Sequence, residues 1–224
     1  MILEKKANYS AFKAAQSDVA PTRDLPPNLR EELHRLVALY RGGLRDVCAR
    51  LEFLDDRFHV DYDHNPIHHM ECRMKSVHSI IEKVHRRGYP LTLNGIRENV
   101  MDIAGVRVVC NYIDDVYHLA ELIVGQENFS VEKYVDYIKQ PKENGYRSLH
   151  IVVRLPVQTD CLVEMVPVEI QLRTVAMDAW ASLEHEIMYK SSRSEAEIDR
   201  MKLKICADEL ANVDRYMQEI YKEM

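Results

Sequence analysis

Val166-Pro167-Val168-Glu169-Ile170-Gln171-Leu172-Arg173 is the stretch on which the fold turns. Apolar side chains stand at Val166, Val168, Ile170 and Leu172, with Glu169, Gln171 and Arg173 between them. A period of two sends alternate side chains to opposite faces of a β-strand. One face enters a core, and the other shows Glu, Gln and Arg in a row. Such a row is either a solvated face carrying an ion pair or one wall of a polar site. The segments around it decide which.

Upstream, the pattern predicts strands over Ile103–Asn111, Phe129–Ile138 and Leu149–Leu155, and the quoted strand itself over Val163–Arg173. Helical spacing of Leu29, Leu33, Leu36, Tyr40, Leu44, Val47, Leu51 and Leu54 predicts a long amphipathic helix to about Asp55, where Gly42-Gly43 marks a kink or a close approach. Asp61 to Pro66 reads as a loop. A second helix is predicted over Ile67–Arg87, stopped by Gly88 and Pro90, with a short third over Leu93–Val100. Further helices are predicted over Asp114–Gly125, Ala176–Lys190 and Glu195–Glu223. Residues 1–28, with Pro21 and Pro26-Pro27, read as an arm and linker before one domain spanning 29–224. The fold class is mixed α/β of the α+β kind, with helical extensions at both ends.

The chain has 224 residues, 46% of them hydrophobic and 29% charged, the profile of a globular protein with a real core. No apolar run approaches the ~18 residues of a membrane span, and the N-terminus carries no apolar signal core, so the expected location is cytoplasmic. A net charge of −6 argues against general nucleic-acid binding, which lives on phosphate attraction. Nucleotides remain open as ligands if basic residues converge on one cleft. Cys48, Cys72, Cys110, Cys161 and Cys206 are scattered without C-x-x-C and read as free thiols.

Four segments carry chemistry. Lys75, Ser79 and Lys83, spaced by four, line one face of the predicted second helix, with Arg73 near its start. Asp102 stands alone before an apolar strand that holds Arg107. Lys139, Lys142 and Asn144-Gly145-Tyr146-Arg147-Ser148-Leu149-His150 form a turn with cations and an aromatic ring, suited to a base and a polyphosphate. Glu169, Gln171 and Arg173 form the fourth. His68-His69 has no further metal ligands nearby, and Tyr189 stands where an H-E-x-x-H begun at His185 needs its second histidine.

In this order, Arg73-Met74-Lys75-Ser76, Asp102-Ile103-Ala104-Gly105-Val106-Arg107, Glu143 to His150, Val168 to Thr174 and Ala176 to His185 resemble the synthetase domain of the RelA/SpoT family, and most closely its stand-alone small alarmone synthetases. The resemblance runs from about residue 30 to the C-terminus. It implies a mixed sheet of nucleotidyltransferase-like synthetase type. It implies transfer of the β,γ-pyrophosphate of ATP to the 3′-hydroxyl of GDP or GTP, making (p)ppGpp.

By the same resemblance, Asp102 binds Mg²⁺, and Glu169 takes the proton of the acceptor hydroxyl and helps hold the metal. Arg73 and Arg107 sandwich adenine. Lys75, Ser79 and Lys83 hold the ATP phosphates. Lys142, Asn144, Tyr146, His150, Gln171 and Asp178 form the guanine-nucleotide side, with Tyr146 stacked on the base. Cys72 stands where the family often has Gly, and Asp178 where one branch carries Asn. Strict alternation sets Asp102 and Arg107 on opposite faces, so either a bulge at Gly105 or a strand beginning after Asp102 is needed to aim both at one nucleotide.

The chain holds no His-Asp dipeptide, so synthesis without hydrolysis is expected. The resemblance also implies a homotetramer built through terminal helices. The apolar residues Ile198, Met201, Leu203, Ile205, Leu210, Val213, Met217 and Ile220 serve either that or packing within the domain. Two other functions fit the same residues. One is the same transfer onto the 3′ end of tRNA, with Lys5, Lys6 and Lys13 as the candidate RNA surface. The other is a non-catalytic regulator that binds guanine nucleotides or RNA. Asp102 and Glu169 together favour an enzyme.

Overall fold

A computed structural model describes residues 25–159, 162–190 and 196–224. Most of the expected N-terminal arm, including Lys5, Lys6 and Lys13, lies outside the described residues, as does Cys161. In chain order the elements are α1 (Pro27–Asp61), β1 (Ile67–Met74), α2 (Val77–Arg87), α3 (Leu93–Asn99), β2 (Ala104–Cys110), α4 (Ile113–Val124), β3 (Ser130–Asp136), β4 (Leu149–Gln158), β5 (Val163–Thr174), α5 (Val175–Lys190) and α6 (Ala196–Lys222).

The five strands form one mixed sheet in the order β1-β2-β5-β4-β3. Only β2 and β5 run parallel; the other pairs are antiparallel. The apolar alternation in β5 is met as expected, with Val166, Val168, Ile170 and Leu172 all fully buried. Val106 and Val108 of β2, and Ile151 and Val153 of β4, extend the same dry face. α1 lies across this face against β1, β2, β4 and β5, burying Leu33, Leu36, Leu44, Val47 and Leu51. Each such side chain contributes about 1.5–3 kcal/mol by leaving water, so truncating one costs about 2–5 kcal/mol.

Gly42 and Gly43 serve the close approach rather than a kink. A Cβ at Gly43 would stand 3.0 Å from Val166 Cγ1, and one at Gly42 would stand 3.1 Å from Val157 Cγ1, while α1 runs unbroken through both. α1 also begins at Pro27, within the stretch expected as a linker, and its last turn takes in residues 56–61.

One expected element is corrected. Residues 67–74 form the edge strand β1, not the first turns of a helix. Met70, Cys72 and Met74 turn toward the core while Glu71 and Arg73 stay exposed, a period of two. The helix starts only at Val77, where the Ser76 hydroxyl accepts from Ser79 N–H, and Gly88 ends it at φ 66°. Lys75 therefore precedes the helix, and only Ser79 and Lys83 share its face. His68 and His69 lie on β1 as well.

The thiol expectation is corrected in part. Cys48 of α1 and Cys72 of β1 are joined by a disulfide, while Cys110 is buried and free and Cys206 is exposed and free. Pairing across the interface between a helix and a strand has no short-range signature in the sequence.

α5 and α6 pack together beyond the end of β5. The Trp180 indole N–H donates to the Leu203 carbonyl at 2.7 Å, and the Thr174 hydroxyl donates to Asp214 at 2.5 Å. The outer side of α6 leaves Ile198, Met201, Ile205, Val213, Met217 and Ile220 exposed. No helix among the described residues is long and apolar enough to cross a membrane.

Candidate active site

Strand register builds the site row by row on the face opposite α1. Arg73 on β1 stands beside Gly105 on β2, which stands beside Glu169 on β5. One row along, Glu71, Arg107, Gln171 and His150 follow one another across four strands. Gly105 contributes no side chain, so the sheet has a gap between Arg73 and Glu169. A cleft of about 110 Å³ opens there, lined by Glu71, Arg73, Lys75, Asp102, Arg107, Glu169 and Gln171 among others.

Asp102 enters from the end of the sheet. β2 begins at Ala104, so Asp102 precedes the strand and escapes its alternation, which brings it into the same cleft as Arg107. No bulge at Gly105 is needed. Lys75 N–H donates to the Ile103 carbonyl, which brings the stretch before α2 alongside the lead-in to β2. Lys75 Nζ then lies 2.5 Å from Asp102 Oδ2, and Lys83 Nζ lies 2.8 Å from Oδ1. Burial pushes the Asp102 carboxyl up, but the hydrogen bonds and charges of these two ammonium groups outweigh it and hold it below its ordinary value. Ser79 shares the Lys83 face but hydrogen-bonds Ser76.

Glu169 is held differently. Its Oε1 lies 3.2 Å from His150 Nδ1, and its Oε2 accepts from the Gln171 amide at 2.7 Å. Burial and the nearby Asp102 charge raise its carboxyl, and His150 and Gln171 bring it below its ordinary value. Glu169 makes no pair with Arg173, so the reading of this face as a solvated ion pair fails. Arg173 is buried, 4% exposed. It donates to Asp178 at 3.1 Å, to the Tyr146 hydroxyl at 2.7 Å and to Gln171 Oε1 at 3.1 Å.

Arg107 spans the cleft, with one nitrogen 3.1 Å from Glu71 and 3.2 Å from Asp178. Arg73 is exposed and has no ion-pair or hydrogen-bond partner among the described residues. On the far side, the turn between β3 and β4 carries Lys142, Asn144 and Tyr146. Gly145 adopts φ 93° in this turn, with Ala207 of α6 so close that a Cβ would lie 2.6 Å from it. Asn144 accepts from Tyr146 N–H and donates to Glu184. Lys142 Nζ sits 4.5 Å above the Tyr146 ring and 4.7 Å above the Tyr137 ring.

The structure thus gathers Arg73, Lys75, Lys83, Asp102, Arg107, Glu169, Gln171, His150, Tyr146 and Asp178 in and around one cleft, with Lys142 and Asn144 at its rim and Ser79 on the adjoining helix. Sequence reasoning left Glu71 and Arg173 off the site. Glu71 lies two residues from Arg73, so reading 67–74 as a strand would have found it. Arg173 was visible in the polar row of β5.

A family model described as the region found in RelA/SpoT proteins matches residues 72–194. The GTP pyrophosphokinase YwaC of Bacillus subtilis (strain 168) is 37% identical over 87% of this chain and 92% of its own. Among solved structures, small alarmone synthetase 1 from Bacillus subtilis bound to its product pppGpp superposes with a TM-score of 0.80 at 34% identity, covering 87% of this chain and 98% of that one. The same synthetase bound to AMPCPP gives 0.73 at 31% identity, covering 87% and 98%.

Proposed function

The chain belongs to the RelA/SpoT family, and we propose that its cleft transfers the β,γ-pyrophosphate of ATP to the 3′-hydroxyl of GDP or GTP. It is a GTP pyrophosphokinase. The new bond joins the acceptor O3′ to the β-phosphorus, the bond from that phosphorus to the α,β-bridging oxygen breaks, and AMP leaves. The observation that carries the reading is the pair of carboxylates in one cleft, Asp102 under two ammonium groups and Glu169 under a histidine and an amide.

Phosphoryl-type transfer needs positioning and charge neutralisation more than covalent help from the protein. Arg73 and Arg107 present planar guanidinium groups at the gap over Gly105, suited to stacking on adenine. Lys75, Ser79 and Lys83 face the ATP phosphates. Tyr146 offers its ring to guanine once Lys142 swings off it toward the acceptor phosphates, and Asn144, His150, Gln171 and Asp178 complete that side. Glu169 takes the proton of the 3′-hydroxyl.

Mg²⁺ suits the donors present. No cluster of three or more His, Cys, Asp or Glu fit for a metal occurs among the described residues. That accords with a hard cation that takes one or two carboxylates and completes its shell with phosphate oxygens and water. Asp102 would hold it, with Glu169 as a second oxygen donor. Bound there, it would neutralise charge on the β- and γ-phosphates.

The exposed apolar row on α6 supports a homo-oligomer, a tetramer in our reading, and the substrates put the reaction in the cytoplasm. The test is purified protein with labelled ATP and Mg²⁺, offered GDP, GTP, GMP or deacylated tRNA in turn. AMP and a 3′-pyrophosphorylated guanine nucleotide are expected. ADP or inorganic phosphate as the main product, or turnover with tRNA alone, would overturn the proposal.

A further inference from the structure

Five side chains at the edge of the cleft close a ring of hydrogen bonds: Arg173, Tyr146, His150, Glu169 and Gln171, with Glu169 and Gln171 lining the cleft itself. Arginine carries donors only. One Arg173 nitrogen, NH2, has two hydrogens, and both are used, one on the Tyr146 hydroxyl at 2.7 Å and one on Gln171 Oε1 at 3.1 Å. That choice propagates along two arms. Gln171 has its oxygen toward Arg173, so its amide nitrogen faces Glu169 and donates to Oε2 at 2.7 Å. The Tyr146 oxygen accepts from Arg173, and we assign its own hydrogen to His150 Nε2, 2.8 Å away. With Nε2 accepting, the neutral imidazole carries its proton on Nδ1 and donates it to Glu169 Oε1 at 3.2 Å. Every bond points from Arg173 toward the carboxylate.

We propose that Arg173 is a positioning residue for this reaction, fixing through both arms the orientation of the Glu169 carboxylate toward the acceptor hydroxyl. The inference rests on Glu169 being the base. Each carboxylate oxygen has two lone pairs; the ring occupies one on each and leaves the others for the cleft. Rotation of the carboxylate would break both arms at once. Arg173 is itself fixed, buried at the end of β5 and tied through its other terminal nitrogen to Asp178 on α5. Removing that one side chain releases the anchor of both arms, although it makes no hydrogen bond to Glu169 itself.

The experiment has two readouts. Long-range proton–nitrogen NMR of histidine-labelled protein should find neutral His150 protonated on Nδ1; the opposite tautomer overturns the ring. Kinetics then tests the role. Arg173→Met should lower kcat on the order of 10²-fold, the cost of a reacting group misplaced by about 1 Å, with KM for ATP little changed and KM for GDP raised as Tyr146, Gln171 and Asp178 lose their shared partner. Arg173→Lys, which keeps donors but not the fork, should recover part of the loss. In a Glu169→Gln background, Arg173→Met should cost almost nothing further, because there is no base left to aim. An equal factor in both backgrounds, or a loss confined to KM, overturns the proposal. If Arg173→Met does not fold by circular dichroism, Tyr146→Phe cuts one arm and goes through the same background comparison with the same criteria. If the wild type makes no (p)ppGpp at all, the functional assignment fails, while the tautomer still judges the ring.

Discussion

Asp102 and Glu169 occupy the same cleft, and both are held below the ordinary carboxylate range, yet by opposite means. Asp102 has an ammonium group on each oxygen. Glu169 has a histidine on one oxygen and an amide on the other, and the cation behind them, Arg173, never touches it. A carboxylate under two direct cations keeps its charge through chemistry and can exchange those partners for a metal and phosphates. One held by a histidine and an amide, neither of them a permanent cation, stays ionised at rest but can still accept a proton. Two acids thus acquire different proposed jobs from their neighbours alone.

Substitutions can break this contrast. Glu169→Gln keeps shape but leaves one acceptor oxygen for two donors and loses the proton acceptor, so kcat should fall about 10²–10⁴-fold while equilibrium dialysis still finds both nucleotides bound. Near-normal turnover would erase the distinction. Asp102→Asn should lower kcat about 10²–10³-fold, the scale for one lost charge-stabilising group. Unlike the first variant, it should also weaken ATP binding only when Mg²⁺ is present; calorimetry with and without the ion makes the comparison. A metal-independent loss would mean that Asp102 merely fixes Lys75 and Lys83.

Tyr146→Ala should remove ~1–3 kcal/mol of acceptor binding, the range for base–aromatic stacking, and leave ATP affinity alone. Calorimetric titration with GDP and then with an ATP analogue separates the two sites.

The smallest effect concerns a third carboxylate. Asp214 is buried with one hydroxyl donor, from Thr174, and burial raises its carboxyl despite that bond. A group raised in the folded state stabilises below its unfolded value and loses that contribution as pH rises through the folded one. Asp214→Asn should therefore match or exceed wild type in Tm by about 2–4 °C at neutral pH, the scale of ~1 kcal/mol in a chain this size. The advantage should shrink as pH falls through the ordinary carboxylate range. A constant difference from pH 4 to 8 would mean that donor number does not set the charge here.

Much of this was readable in the chain. The alternation in β5 is strong because both of its faces are committed, one to the core and one to the cleft. α1 and the strands around β5 follow from periodicity. β1 was hidden because, beyond Ile67, its inward side chains are Met70, Cys72 and Met74, not β-branched residues, and because the four-residue spacing of Lys75, Ser79 and Lys83 continues backward as if helical. The resemblance supplied the cleft residues. The ring around Glu169 was out of reach, since it exists only once β4, β5 and the turn before β4 are in register. Arg173 sat in the quoted stretch, but a sequence does not say that an arginine is buried.

Gly105 has a practical consequence. A Cβ there would meet only the Glu169 carbonyl, at an ordinary 3.4 Å, so the strand itself does not require glycine at that point. The space is left for what lies above the sheet. Size at residue 105 is therefore an adjustable dial on cleft depth that the fold barely feels. A single added methyl group there would favour a trimmed nucleotide analogue over the natural substrate.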